Sequence, residues 1–403
     1  MDLKGFFACY KPFGCLELGA AWLCQHDLFE VHPLPPIHCD SARIVRDEPL
    51  LRPSPEADLG GCPKLVYVAR ATDVLLADYR WIGPHGIGRF ANEIRKRLPA
   101  LRPLSAFWPL LHPLEPVLLA GVLYALRPLV YFSPGFNPPV RSPGPFVFTI
   151  HDLIHLRVPA EASRAKQAYY RLVVRPAAHR AYRVLTVSQY THHDIVEWTG
   201  LPEERVVVVG NGIGPAFTPG GGHHTPGYPY LLYVGNRKPH KNLARLLQGF
   251  AHSGLQHDIC LVLTGMPDAA LSQQMTALQL QNRVVYAGDL TEPELAAYYR
   301  GAVAVVCPSL YEGFGLSPLE AMACGTPVVT SNRTALPEVV EEAAVLVDPY
   351  DVEAIAWGIH RVVDDQELRQ ALAHKGLARA RQFTWEQTVS RVWQVLQEAA
   401  ADT

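Results

Sequence analysis

One stretch, residues 308–329, constrains this chain more than any other. An apolar run of strand length, residues 303–307, leads into it. Gly313 and Gly315 flank a single aromatic, Phe314, and allow the backbone to turn tightly. Ser317 is a candidate helix N-cap, with Pro318 at the first helical position, where no N–H is needed. Gly325 stops the helix, and Thr326-Pro327 opens the next strand. Strand, glycine loop and helix in succession receive anions, because unpaired N–H groups and the positive end of the helix dipole point the same way. Glu312 in the loop and Glu320 in the first helical turn can face one cleft, and carboxylates accept hydrogen bonds from paired sugar or ribose hydroxyls. Phosphate, ribose and sugar together describe a nucleotide-sugar. Ser317 and Glu320 also have the spacing of a capping box, in which Glu320 would only close the helix end.

The rest of the chain alternates in the same way. A strand-like run at residues 73–78 leads to a loop with Gly83, Gly86 and Gly88, then to a helix with Phe90, Ile94 and Leu98 on one face. Residues 104–141 read as proline-rich and irregular. Residues 146–150 form a buried-strand run that delivers His151 and Asp152 at its end, where open α/β sheets collect ligands. A basic helix at 164–181, strands at 183–187 and 205–209, and a helix capped by Ser188 follow. Residues 215–229, rich in Gly, Pro and His, read as a linker. A second sheet begins at 230–234 and delivers Arg237, Lys238 and Lys241 ahead of a helix, a placement that suits a diphosphate. Further strands and helices run to a last helix at 384–400. Alternation of this kind predicts an α/β protein with doubly wound parallel sheets.

A chain of 403 residues has room for two or three domains. Its 49% apolar and 18% charged residues describe a globular protein with sizeable cores. Charge is unevenly spread: residues 73–215 carry 16 basic and 10 acidic side chains, and residues 216–403 carry 13 and 19. The basic half suits an anionic membrane surface or a phosphate-bearing acceptor, or is simply a solvated surface. No run of apolar residues is long and uncharged enough for a transmembrane helix, and residues 1–25 lack the pattern of a signal peptide. The eight cysteines form no C-x-x-C pair, so no zinc site and a reducing, cytoplasmic setting are expected. Residues 1–72 have little periodicity; His26, His32, His38 and Cys39 match no ligand spacing, and this segment reads as an extension without assigned role.

The combination of Glu312, Gly313-Phe314-Gly315, Glu320 and the Gly325-Thr326-Pro327 continuation resembles the signature of the retaining glycosyltransferases of family four, which have the GT-B fold. Three further segments match that family in order: the Gly86/Gly88 loop, His151-Asp152-Leu153-Ile154-His155, and Arg237 with Lys241. Together the resemblance covers roughly residues 73–400. Asn236 and His240 depart from it, standing where many relatives carry Arg. It implies two Rossmann-like domains facing a cleft, at 73–215 and 230–382, with 216–229 between them and the segment 383–403 crossing back to the first. It also implies roles: Glu320 on the ribose, Glu312 on the transferred sugar, and His151 orienting that sugar. Arg237, Lys241 and the N–H groups around Gly313, Phe314, Gly315 and Leu316 would stabilise the leaving diphosphate, with Gly86 and Gly88 closing over it. No metal and no cofactor are implied beyond the nucleotide-sugar donor, which is a substrate. The overall pattern looks most like the bacterial mannosyltransferases of polysaccharide biosynthesis, which favours GDP-mannose as donor, a UDP-sugar next, and a glycan or lipid-linked glycan as acceptor. A cytoplasmic protein, in peripheral contact with the inner membrane face and without nucleic-acid partner, is expected. A nucleotide-sugar epimerase of the same fold and a non-catalytic carbohydrate-binding protein are the alternatives. A dehydrogenase lacks its Gly-x-Gly-x-x-Gly loop here.

Overall fold

The computed structural model describes residues 74–403 apart from 107, 256 and 257. What was read on residues 1–73, including the histidine and cysteine cluster and the Asp73 start of the first strand, lies outside the described residues. The described chain builds two six-stranded sheets, each entirely parallel. The first holds β1 (Leu75–Ala77), β2 (Arg102–Pro103), β3 (Val130–Ser133), β4 (Phe146–Thr149), β5 (Arg183–Thr186) and β6 (Val206–Val208), in the order 2-1-3-4-5-6. The second holds β7 (Tyr230–Tyr233), β8 (Cys260–Thr264), β9 (Val284–Gly288), β10 (Ala304–Cys307), β11 (Val328–Ser331) and β12 (Val345–Val347), in the order 12-11-10-7-8-9.

The strands are short apolar runs because both faces of each sheet are covered. Leu76 joins one core layer of the first sheet and Ala77 the other, as the twofold alternation of a strand requires. In the second sheet Leu231 and Leu232 divide in the same way. The terminal helix Trp385–Ala401 belongs to the core of the first sheet, with Trp385, Val392 and Leu396 packed among Ala77, Phe90 and Phe132.

Three segments differ from their sequence-based expectation. Residues 104–141 are not irregular: they contain the helix Glu115–Leu126 and β3, a central strand. That helix is apolar on nearly every side, so it shows no stripe at helical spacing. The basic helix is not uniform, since a π-helical turn, Tyr170–Val174, separates Arg164–Tyr169 from Arg175–Arg180. Finally, the glycine-rich segment before β7 is tied to the helix Glu292–Gly301: His224 N–H donates to Ala297 O, Arg300 donates to Thr218 O and Gly222 O, and the His224 ring stacks on Tyr298 at 3.8 Å.

Candidate active site

In each sheet the strand order reverses once, between β1 and β3 in the first and between β7 and β10 in the second. A crevice opens at such a reversal, beyond the carboxyl ends of the strands. The candidate residues leave these strands or their neighbour β4: the Gly83–Gly88 loop after β1, His151 after β4, Arg237 and Lys241 after β7, and Glu312 to Glu320 after β10. The two crevices meet. A Cβ placed on Gly86 would touch Leu316 Cδ1 at 3.6 Å, and one on Gly313 would lie 2.2 Å from His151 O and 2.8 Å from Asp152 Cβ. Gly313 therefore tolerates no side chain, because the catalytic loop of one lobe lies directly on the strand end of the other.

Glu312 is the best-supported side chain of the site. Lys241 Nζ and Ser309 Oγ each donate to its Oε1 at 2.7 Å, and its N–H donates to Thr334 Oγ1 at 3.1 Å. Burial alone would push the Glu312 carboxyl up, but Lys241, His240 and Ser309 more than offset this and hold it below its usual value. Lys241 is disfavoured as a cation by burial and stabilised more strongly by Glu312, so its pKa is raised. Glu312 is thus an ionised carboxylate in a dry setting.

Arg237 lies over the Tyr286 ring at 5.6 Å, donates to Met266 O at 3.1 Å and faces Asp268 Oδ2 at 3.6 Å. Its Nη1 is buried and has no hydrogen-bond partner among the described residues. A buried guanidinium donor without an acceptor is costly unless an anion completes it.

The helix after the glycine loop runs Leu316–Ala323, and its N-cap is Gly315, not Ser317. Gly315 has φ +116°, a conformation that L side chains rarely adopt, and no side chain caps the helix. Ser317 lies inside the first turn and donates to Val234 O at 3.3 Å. The capping box is accordingly absent, and Glu320 stands in the second turn, not the first. Its Oε2 accepts from Tyr299 OH at 3.0 Å, and its Oε1 pairs with Arg89 of the other lobe. Burial raises the Glu320 carboxyl, and Arg89 counters this only in part. The start of this helix lies beside the Gly86 loop, where the Leu316 side chain would touch a Cβ on Gly86. Phe314 points the other way, into the core against Phe383 at 5.7 Å, so only its backbone is available to a ligand.

His151 is buried, with Nε2 2.8 Å from Pro134 O and its ring edge-on to Phe90 at 5.0 Å. Burial pushes it down to about 4, so it is neutral near pH 7. With Nε2–H donated to the carbonyl, Nδ1 remains as an acceptor for a hydroxyl. Gly86 opens the helix Gly86–Arg97, whose N-cap is His85 Nδ1, accepting from Gly88 N–H at 3.0 Å. Gly88 is packed against Gly83, where a Cβ would lie 2.2 Å from Gly83 O, so it shapes the loop from behind. The His155 ring donates from Nδ1 to Glu161 O, 3.1 Å away. His240, one of the two departures from the family pattern, pairs with the buried Glu161 of the other lobe at 2.8 Å.

Sequence inspection missed Arg89, Tyr299, Ser309 and Thr334. Ser309 could have been suspected from its place three residues before Glu312; the others come from distant segments. Among the described residues no group of three or more His, Cys, Asp or Glu side chains is disposed to hold a metal ion, and no helix is long and apolar enough to cross a membrane. Cys260, Cys307 and Cys324 are free and buried.

Two facing nucleotide-binding folds with an anion-seeking crevice define the GT-B class of glycosyltransferases. Comparison with known proteins agrees. Residues 222–379 match the family model "Glycosyl transferases group 1", and residues 63–217 match "Glycosyltransferase Family 4". The chain is 31% identical over 291 residues to O-antigen chain mannosyltransferase B of Escherichia coli, covering 69% of this chain and 75% of that one. It is 31% identical over 206 residues to the O-antigen chain mannosyltransferase RfbU of Salmonella typhimurium, covering 50% of this chain and 56% of that one. Sucrose-phosphate synthase from Thermosynechococcus elongatus shares the fold, with a TM-score of 0.68 at 19% identity over 82% of this chain and 100% of that one. The chain belongs to glycosyltransferase family 4.

Proposed function

We propose that this glycosyltransferase moves mannose, with retention of configuration, from GDP-mannose to a glycan or lipid-linked glycan acceptor in the assembly of a surface polysaccharide. The observation that carries the diphosphate end of this reading is the buried Nη1 of Arg237, which has no partner among the described residues and belongs to the same loop as Lys241. These groups suit a leaving diphosphate, whose charge grows in the transition state. Glu320 would take the ribose hydroxyls in exchange for Arg89, Glu312 the transferred sugar, and neutral His151 one of its hydroxyls. The leaving phosphate would assist deprotonation of the acceptor, so no protein nucleophile is invoked. Mannose is favoured by the named activities of the O-antigen relatives. A lipid-linked acceptor would bring the basic amino-terminal half to the inner membrane face.

The test is a thermal-shift titration of the full chain with GDP-mannose, UDP-glucose and UDP-N-acetylglucosamine, followed by GDP release with and without octyl α-mannoside. Stabilisation by GDP-mannose, with acceptor-dependent release undiminished by EDTA, is expected. Stabilisation by a UDP-sugar alone would reject the mannosyl donor. Conversion of the donor sugar without acceptor would point to an epimerase.

A further inference from the structure

The helix Gln189–Thr199 of the amino-terminal lobe carries no residue expected to touch the donor, yet its polar contacts with the other lobe concentrate around Glu312. Ser188 Oγ and Thr191 Oγ1 reach Gly313 O at 2.7 and 3.2 Å. Tyr311 OH donates to Asp194 Oδ2 at 2.9 Å and accepts from Leu153 N–H at 3.3 Å. Asp194 is itself held by Arg157 Nε at 2.6 Å. On the far side, Glu338 of the carboxy-terminal lobe accepts from the N–H groups of Gln189 and Tyr190 at 2.8 and 3.0 Å, which seats the start of the helix. Ser188, Thr191, Asp194, Gly313 and Tyr311 are all buried.

Glu312 thus has a divided support. Its carboxylate and N–H are held inside its own lobe by Lys241, Ser309 and Thr334. Its two sequence neighbours are held by the opposite lobe. Contacts that served only to join the lobes could fall anywhere on the facing surfaces. These fall on residues 311 and 313, which fix the backbone on both sides of residue 312 and so set where its carboxylate points.

We propose that Ser188, Thr191 and Asp194 are positioning residues for Glu312: by fixing Gly313 and Tyr311 they bring the Glu312 carboxylate to its working place only when the lobes are together. This rests on the sugar-contacting role assigned above to Glu312. Donor held by Arg237, Lys241 and Glu320 in a separated molecule would then be bound but inert, which suppresses hydrolysis until an acceptor-bearing complex closes.

Asp194→Ala, Tyr311→Phe and Thr191→Val are compared with Thr191→Ser, which keeps the hydroxyl. The readouts are GDP-mannose affinity by titration, GDP release with octyl α-mannoside, and amide hydrogen exchange across residues 309–316. The expected result is turnover lowered about ten- to a hundredfold, donor affinity within about threefold of wild type, and faster exchange confined to that loop. Thr191→Ser should behave as wild type, and the losses in the Asp194→Ala/Tyr311→Phe double variant should be less than additive, because the Tyr311–Asp194 bond is common to both. Wild-type exchange of the loop in Asp194→Ala and Tyr311→Phe would overturn the proposal whatever the turnover, as would equal losses of donor affinity and turnover. Glu312→Gln in the same assays separates the two levels: if it transfers normally, the role of Glu312 fails; if it is inactive while Tyr311→Phe turns over normally, only the positioning role fails.

Discussion

The two sheets reverse at different places in their order, 2-1-3-4-5-6 against 12-11-10-7-8-9, and their crevices are furnished differently. The carboxy-terminal crevice is ionic: Arg237, Lys241, Glu312 and Glu320 stand within one or two turns of two strand ends. The amino-terminal crevice offers a glycine loop, the neutral His151 and the single cation Arg89, which reaches across to Glu320. Binding a charged diphosphate calls for fixed charges, whereas meeting a neutral sugar calls for shape and hydroxyl-sized acceptors. On the function proposed above, one lobe would hold the leaving group and the other would close over the sugar. The opposed net charges of the two halves, basic before the linker and acidic after it, do not predict this, because the acidic half carries the phosphate-seeking cations.

The comparison is broken most severely at Glu312. Glu312→Gln should lower transfer on the order of a thousandfold with the fold intact, measured as GDP release at saturating donor. Glu312→Ala should in addition leave Lys241 without its partner in a dry site, a loss of about 3–5 kcal/mol visible in denaturant unfolding. Next in size is Arg237→Ala, which removes the guanidinium proposed to meet the diphosphate. It should lower kcat about a hundredfold. Stability should fall by about 1 kcal/mol, because the Met266 O bond, the Asp268 pair and the Tyr286 stack go with the side chain.

How far the sequence announced this division follows from the range of each interaction. The loop bearing Glu312 and the cationic turn bearing Arg237 and Lys241 were legible because strand, turn residues and helix are adjacent in the chain, and the site is made at those junctions. Gly315 as cap could not be separated from Ser317 by spacing alone, since its positive φ, and the Leu336 side chain 2.7 Å from where a Cβ would stand, exist only in the folded chain. Arg89 was invisible because its partner Glu320 lies 231 residues away, and salt bridges of that span leave no local pattern. The helix Glu115–Leu126 was lost because an apolar surface on nearly all sides erases periodicity. Phe314 sits between two glycines in a ligand loop, and only the tertiary structure shows that its ring turns inward to Phe383.

The neutral character of the amino-terminal crevice can be checked by pH. His151 is held near 4 against 6.5 for a free imidazole, so the unfolded chain binds a proton that the folded chain refuses between those values. Its contribution to stability is complete above about 6.5 and is lost as pH falls toward about 4, amounting to roughly 3 kcal/mol in the acid limit. His155, also lowered to about 4 by burial and by Lys166, acts in the same direction. The thermal midpoint should fall across this window, and His151→Asn should flatten part of the slope. An unchanged slope in that variant would place the acid sensitivity elsewhere.

The smallest expected effect is at Glu338, the one carboxylate of the phosphate-holding lobe that serves the other lobe's backbone. It accepts the N–H groups of Gln189 and Tyr190 at 2.8 and 3.0 Å from a half-buried position. Capping of this kind is worth about 1 kcal/mol. Since the capped helix and the cap belong to different lobes, that energy favours closure more than folding of either lobe. Glu338→Ala should therefore lower turnover less than tenfold, leave GDP-mannose affinity unchanged, and shift the closed population measured by small-angle scattering. Glu338→Gln, whose amide oxygen still accepts, should recover most of the loss. If Glu338→Ala instead weakened donor binding, the separation of duties between the two crevices would be less complete than their furnishing implies, because a residue that touches only the opposite helix would be acting on the donor.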